Sequence, residues 1–236
     1  MAQHILRKDL KKDEFRETLA HGAEAVLSHQ TVTLYVVAGA LVIALAGFGW
    51  WTYAQRKSSA AAAAFDSALR TFQRPVGTPP VAGETSYPDD SKKFTAAAQQ
   101  FSDVAKKYSR THAGSLAQYY AALSFEKLGK NDDAKKLLAG LEGGSDDVAA
   151  MARFELAQLD DRTGQPDQAV KLYQQLIDKP SLLAPKPVVM LMLASHYAQS
   201  NPAQAAKLYG QIKSEYPDTP IAEQADQALA LLPGKS

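Results

Sequence analysis

GKNDDAKKLL (residues 129–138), GQPDQAVKLY (164–173) and SNPAQAAKLY (200–209) align without a gap, and this threefold recurrence decides the fold. The alignment places Ala134, Ala169 and Ala205 in one column, 35 and then 36 residues apart. A period near 34 residues is typical of tandem helix pairs that bury their apolar faces only against neighbouring pairs. The sequence therefore predicts a solenoid of helix pairs in which these segments are second helices.

A fourth second helix lies upstream, because FTAAAQQFSDVAKKYSRTHAGSLA (94–117) matches PAQAAKLYGQIKSEYPDTPIAEQA (202–225) at its small and aromatic positions. First helices are predicted over 113–128, 148–162 and 187–199, and residues 221–232 are predicted to form a cap. The fold class predicted is all-α: one N-terminal transmembrane helix, then a tetratricopeptide-like α-solenoid of about four helix pairs over 92–236 plus a C-terminal capping helix.

Small residues within the helices and glycines between them support the predicted helix pairs. Ala122, Ala157 and Ala194 stand in the first helices about twelve residues before the aligned alanines, where two helix backbones approach closely. Gly129 and Gly164 lie between paired helices, where a left-handed residue ends the first helix. These features indicate packing rather than chemistry.

The stretch TVTLYVVAGALVIALAGFGWWTY (31–53) carries no charge and no proline. A bilayer core takes roughly 20 helical residues, so the length favours a transmembrane helix over a core helix. A secretory signal has a shorter apolar region behind a brief basic head, whereas thirty residues with charges of both signs precede this one. Trp50, Trp51 and Tyr53 are predicted membrane-interface residues, since amphipathic rings settle at that level.

The segments flanking the span have distinct compositions. Residues 1–30 are predicted to be a charged amphipathic segment, residues 54–73 a helix that continues from the membrane, and residues 74–91 a Pro/Gly-rich loop that acts as a mobile tether. Lysine and arginine are equally frequent near both ends of the span, so the positive-inside rule leaves the orientation open.

Composition and motifs argue against catalysis and against a nucleic-acid partner. The net charge is +1, there are no cysteines, and the five histidines show no paired metal-binding spacing. The adjacent carboxylates of Asp160 and Asp161 point about 100° apart on a helix and do not converge as an acid–base pair. We predict no enzyme, no metal and no cofactor.

The first helices of such an array line its concave face and offer a groove to a peptide. This groove is predicted to be apolar with a few acceptors, which suits unfolded clients and lacks the Lys/Arg cluster of a carboxylate clamp. Packing of its aromatic and leucine side chains against neighbouring helices is an equally open interpretation. The candidate groove residues are Tyr119, Leu123, Glu126, Phe154, Gln158, Asp161, Leu191 and Ser195.

Four quoted segments carry a resemblance to a known family: GWWTYAQ (49–55), AAAAAFDSAL (60–69), YSRTHAGSLAQ (108–118) and LAQLDDRTGQPDQA (156–169). In this order they resemble the YfgM-type ancillary subunits of the bacterial Sec translocon, over roughly residue 32 to the C-terminus. The resemblance implies a single-pass inner-membrane protein with a cytoplasmic N-terminus and periplasmic repeats. It also implies partners: the Sec translocon, a membrane-anchored periplasmic chaperone and unfolded secreted or envelope proteins.

Two alternatives remain open at this stage. YPDTPIAEQA (216–225) also resembles the repeats of envelope proteins that coordinate outer-membrane assembly or cell division. A cytoplasm-facing, membrane-tethered adaptor is compatible with the balanced charges around the span. A reporter fusion at the C-terminus separates the two orientations.

Overall fold

The computed structural model describes residues 30–77, 86–144 and 146–233. The predicted charged segment 1–30, except its last residue, and the middle of the predicted 74–91 loop lie outside the described residues. Within the described ranges the chain forms nine helices and no strand, which confirms the predicted all-α class. In chain order the helices are α1 (Gln30–Gln73), α2 (Asp90–Lys107), α3 (His112–Lys127), α4 (Asn131–Glu142), α5 (Asp147–Arg162), α6 (Pro166–Asp178), α7 (Lys186–Ser200), α8 (Pro202–Glu215) and α9 (Pro220–Ala230).

Local sequence explains where the repeat helices begin and end. The Asp146 side chain accepts a hydrogen bond from the Ala149 N–H at 3.0 Å, which satisfies one of the free donors at the start of α5. Thr111 caps α3 in the same way. Gly129 and Gly164 follow α3 and α5 with φ of 70° and 77°, which confirms the predicted left-handed positions.

The chain divides into two compact units, residues 1–56 and 57–236, which are described separately. In the first unit the described residues form the N-terminal part of α1. This helix is long and apolar enough to cross a membrane. Its large apolar side chains are exposed, with Tyr35 at 76 %, Ile43 at 74 % and Trp50 at 74 %. A water-soluble domain buries most such side chains, so this surface matches an apolar solvent better than water.

The second unit begins with an aromatic cluster that joins the end of α1 to α2 and α3. The Phe65 ring lies 5.6 Å from Phe101 and 5.5 Å from Tyr120, measured between ring centroids. Phe72 packs edge-on against Phe94 at 5.4 Å. Residues 57–73 therefore serve as the first helix of the first pair, with α2 as its second helix.

A larger apolar core runs from α3 to α9. Consecutive helices pack against one another, and α3 also contacts α5 while α7 contacts α9, so first helices of successive repeats lie side by side. The aligned alanines Ala134, Ala169 and Ala205 are fully buried, as are Ala122 and Ala157. Small side chains at these points let the paired helices approach closely. Helices α3 to α8 form three pairs, α9 follows them, and the predicted solenoid is confirmed.

Candidate protein-interaction face

Helices α3, α5 and α7 are the first helices of three successive repeats, and we call the surface that they share the first-helix face. Glu126, Asp161 and His196 form a column on these helices, at intervals of 35 residues. Each of these side chains takes part in a contact with the neighbouring repeat. Polar contacts along this column therefore connect successive repeats.

Two adjacent residues at the end of α5 contact different repeats: Arg162 contacts the preceding repeat and Asp161 contacts the following one. Arg162 Nη2 donates to Glu126 Oε1 on α3 at 2.6 Å. Asp161 Oδ1 lies 2.7 Å from His196 Nδ1 on α7. The end of α5 is thus tied to the preceding and to the following repeat, and we call Glu126, Glu155, Asp161, Arg162 and His196 the inter-repeat network.

Glu155 is the second carboxylate beside Arg162. Its Oε1 lies 3.6 Å from Arg162 Nη2. Burial, and then the Glu126 charge, raise the pKa of Glu155 above its ordinary value, against a smaller opposing effect of Arg162. Glu155 therefore holds its proton more tightly than an isolated glutamate does.

Glu126 has one oxygen without a donor. Its Oε1 accepts from Arg162, whereas its Oε2 is buried and has no hydrogen-bond partner in the described part of the chain. An unpaired buried acceptor carries a desolvation cost of about 1–3 kcal/mol.

Two tyrosines lie under the network and stay protonated. Burial, followed by the charge of Glu155, raises the pKa of Tyr119 well above its ordinary value. Burial and the Asp161 carboxylate do the same for Tyr173. Both hydroxyls therefore keep their protons at neutral pH.

The predicted groove residues occupy three different environments. Tyr119 and Leu191 are core side chains, each 8 % exposed, so packing against neighbouring helices accounts for most of their surface. Glu126 and Asp161 belong to the inter-repeat network. The remaining candidates are partly or largely exposed: Leu123, Phe154, Gln158 and Ser195.

Sequence reasoning missed three members of the network, namely Glu155, Arg162 and His196. The side chain of His196 is only 10 % exposed and faces Asp161. It lies 35 residues after Asp161, one fewer than the interval between Ala169 and Ala205, so the repeat register gives no signal for this contact.

The two aspartates at the end of α5 point in different directions, as the helix geometry predicts. Asp161 faces His196 on α7, whereas Asp160 is buried and lies 2.6 Å from Lys135 Nζ on α4. Asp160 therefore joins the two helices around the α4–α5 turn from inside the core. It has no accessible surface for a ligand.

Two open cavities are lined by residues outside the network. One of about 620 Å³ surrounds the α3–α4 turn and includes Gly129 and Thr163, and one of about 560 Å³ runs along α6. Neither is lined by a predicted groove residue. Across the described ranges, no group of three or more acidic or histidine side chains is arranged to hold a metal ion.

Family comparisons agree with this architecture. The model of the tetratricopeptide repeat-like domain family matches residues 28–184, and that of the tetratricopeptide repeat matches residues 189–219. The chain belongs to the tetratricopeptide repeat-like domain family. Repeats of this class are typically non-catalytic scaffolds that bind other proteins. The tetratricopeptide assignment covers both the residues of the network and most of the apolar helix.

Solved structures show the same fold. A crystal structure of nearly identical TPR-like repeats of a candidate kinesin light chain from Podosopora anserina superposes with a TM-score of 0.54 at 16% identity. The match covers 73% of this chain and 85% of that one. A single-residue variant of the same protein gives a TM-score of 0.55 at 16% identity. No curated protein is significantly similar in sequence.

Proposed function

We propose that this tetratricopeptide protein is a non-catalytic interaction module anchored in the bacterial inner membrane, with its N-terminus in the cytoplasm and its repeats in the periplasm. There it associates with the Sec translocon and a membrane-anchored periplasmic chaperone and assists secreted or envelope proteins. The observation that carries the proposal is the combination of an exposed apolar helix with an array of protein-binding repeats in one chain.

Membrane anchoring is supported by the surface of α1. Each large apolar side chain left in water forgoes about 1.5–3 kcal/mol of transfer free energy, and exposed ones recur from Val32 to Tyr53. Trp50 and Trp51 stand near the end of the uncharged run, and Arg56 follows them. Aromatic rings followed by a cation are typical of the membrane–water interface.

Protein binding is supported by the first-helix face. Partly exposed apolar side chains, such as Leu123 and Phe154, lie on the same helices as the carboxylates of the network. Such a surface combines apolar area with a few oriented polar groups, which is the composition of peptide-binding sites. The translocon, the chaperone and the orientation are supported by the resemblance to the YfgM-type subunits.

A co-purification from detergent-solubilised membranes tests the proposal. We expect the tagged full-length chain to retain the Sec channel, identified by mass spectrometry, whereas an unrelated single-span protein with the same tag does not. A reporter fused to the C-terminus should be active only in the periplasm. Loss of the channel together with a cytoplasmic reporter would favour the adaptor function instead.

A further inference from the structure

We infer that the turn between α6 and α7 (residues 179–185) is a lipid-contact loop, whose Leu182 and Leu183 side chains enter the interface of the membrane that anchors the chain. The occupant of this surface is a lipid leaflet with anionic headgroups. The inference rests on the membrane anchoring in the proposed function and adds a second contact with the same membrane.

Two adjacent leucines form the tip of this turn. Leu182 is 87 % exposed and Leu183 is 54 % exposed. Single exposed leucines are common on protein surfaces, whereas an adjacent pair at the tip of a turn is an apolar patch. The other turns that join a second helix to the next first helix carry no large apolar side chain at their tips, which are Ser109 and Arg110, Gly143 and Gly144, and Pro217 and Asp218.

Hydrogen bonds within the turn hold the leucines at its tip. The Ser181 N–H donates to the Ala184 carbonyl at 3.3 Å, and the Ala184 N–H donates to Ser181 Oγ at 3.0 Å. The Ala184 side chain is buried in the core of the second unit. The turn is therefore closed at its base and fixed to the core, with the exposed leucines between these two residues.

The backbone of the turn makes a small demand for water. Pro180 and Pro185 have no N–H, and Ser181 and Ala184 donate theirs inside the turn. A backbone N–H without a partner is costly in an apolar medium, which keeps most loops on the aqueous side of a bilayer. The composition of this turn lowers that cost and suits it to the membrane–water interface.

The turn lies at the end of the second unit where the chain enters it. The Phe65 ring packs on Phe101. The Phe72 ring, seven residues further along the chain, packs on Phe94, which precedes Phe101 by seven residues. Residues 57–73 therefore run antiparallel to α2. Because consecutive helices from α2 to α7 pack against one another across short connections, their directions alternate, and the end of α6 lies at the same end as the start of the 57–73 segment.

Chain connectivity keeps this end of the unit near the membrane. Lys57 follows Tyr53, the last predicted interface residue, by four residues. Four residues span at most about 14 Å even when they are fully extended. A tether of this length makes the encounter with lipid intramolecular, so a small apolar surface is enough. A separate protein partner needs about 1,200 Å² or more of buried surface, of which two leucines supply a small part.

The charge beside the leucines complements anionic lipids. Lys179 is exposed and precedes the tip of the turn. The nearby carboxylates have partners within the chain, since Glu215 pairs with Lys186 at 2.9 Å and Asp178 accepts a hydrogen bond from Gln174 at 3.1 Å. An apolar tip next to a lysine is the pattern of a peripheral contact, in which the ammonium group attracts the headgroups and the apolar side chains enter between them.

Site-specific fluorescence with the full-length chain in nanodiscs tests the inference. The chain has no cysteine, so L182C provides a unique thiol for an environment-sensitive nitrobenzoxadiazole label. Each disc holds one chain in phosphatidylcholine and phosphatidylglycerol, with or without a spin-labelled lipid that quenches the label at the interface. We expect the label at residue 182 to show blue-shifted emission and to be quenched by the spin-labelled lipid.

Two other single-cysteine variants calibrate this result. D167C lies at the exposed start of α6, at the opposite end of the same helix, and its label should show water-like emission without quenching. L45C lies within the uncharged run, and its label should be quenched in an anchored chain.

Further substitutions in the L182C background assign the contact to the turn. Adding L183S and K179Q should remove most of the quenching, because the apolar tip and its neighbouring cation are lost. Adding L231S instead changes a leucine that is 84 % exposed after the end of α9, and it should leave the quenching unchanged. Circular dichroism checks that each variant is folded.

The outcomes separate this inference from the function on which it rests. Water-like emission at residue 182, together with quenching at residue 45, overturns the lipid contact and leaves the membrane anchor intact. Equal quenching at residues 182 and 167 also overturns it, because the contact is then not specific to the turn. A blue shift at residue 182 that needs an added membrane-protein extract assigns the turn to a protein partner and overturns the lipid occupant. Absence of quenching at residue 45 contradicts the anchor itself, and the inference with it.

Discussion

Asp161 and His196, in successive repeats, face each other with 2.7 Å between Oδ1 and Nδ1. The contact joins α5 to α7, and the histidine side chain is mostly buried. A partly buried hydrogen bond between two repeats couples their stabilities, since each repeat of a solenoid is held mainly by its neighbours.

Replacing this histidine should weaken the array at one interface. We expect H196A to lower the free energy of unfolding by about 1–2 kcal/mol, because Asp161 loses its partner on α7. Urea unfolding in detergent measures the change. H112A alters an exposed histidine at the start of α3 and should leave the midpoint unchanged. Equal effects of the two substitutions would show that the inter-repeat contact contributes nothing.

Glu155 should make stability depend on pH in a defined direction. Since folding raises the pKa of Glu155, the folded chain binds the proton of this carboxyl group more tightly than the unfolded chain does. The contribution of this group is therefore most favourable below its unfolded pKa and is lost as pH rises through the raised folded pKa. Melting temperatures of the wild type and E155Q should converge at acidic pH, and E155Q should be the more stable at neutral pH.

A wild-type protein that gained stability relative to E155Q over the same rise in pH would contradict this account. It would mean that Arg162 outweighs both burial and the neighbouring carboxylate at Glu155.

The buried ion pair between Lys135 and Asp160 should be costly to break from one side. K135M leaves an uncompensated carboxylate in the core, so we expect a loss of about 3–5 kcal/mol in unfolding free energy. K136M changes the exposed neighbouring lysine and serves as the matched control. The double variant K135M/D160N should recover part of the loss, because no buried charge remains. Identical losses for K135M and K136M would exclude the pair as a stabilising contact.

Glycine replacement tests the left-handed helix ends. G164A should lower the free energy of unfolding by about 1 kcal/mol, since the φ of 77° at this position is strained for any residue with a Cβ. Gly143 has a φ of −72° and no neighbouring atom within 4 Å of an added Cβ. G143A should therefore be neutral or slightly stabilising. A G164A variant as stable as G143A would contradict the cap assignment.

The fold could be predicted from the sequence because small residues recur at the repeat period. Small residues are needed at these positions because the paired helices pack closely there. The aligned alanines are fully buried, and the observed ends of the first helices and of the cap lie within two residues of the predicted ones. The face was harder to predict. Tyr119 has the helical register of a groove residue, yet the helices packed around it leave little of its surface exposed.

Hydrophobic periodicity predicts where the helices lie, but it does not predict which charged side chains pair between repeats. The polar contacts between repeats were therefore not predicted. Arg162 reaches Glu126 across 36 residues, and nothing in either local sequence distinguishes that contact from a solvated surface charge. The contacts that Glu126 and His196 make with the end of α5 become apparent only once the packing of the helices is known.

Site-specific photocrosslinking in intact membranes tests most directly whether the first-helix face binds the proposed partners. A photoreactive residue replaces Gln158, which is partly exposed on α5, or Gln174, which is exposed on the second helix α6. We expect Gln158 to give crosslinks to the Sec channel or its chaperone, identified by mass spectrometry, and Gln174 to give few. Crosslinks to these proteins from Gln174 but not from Gln158 would contradict the account.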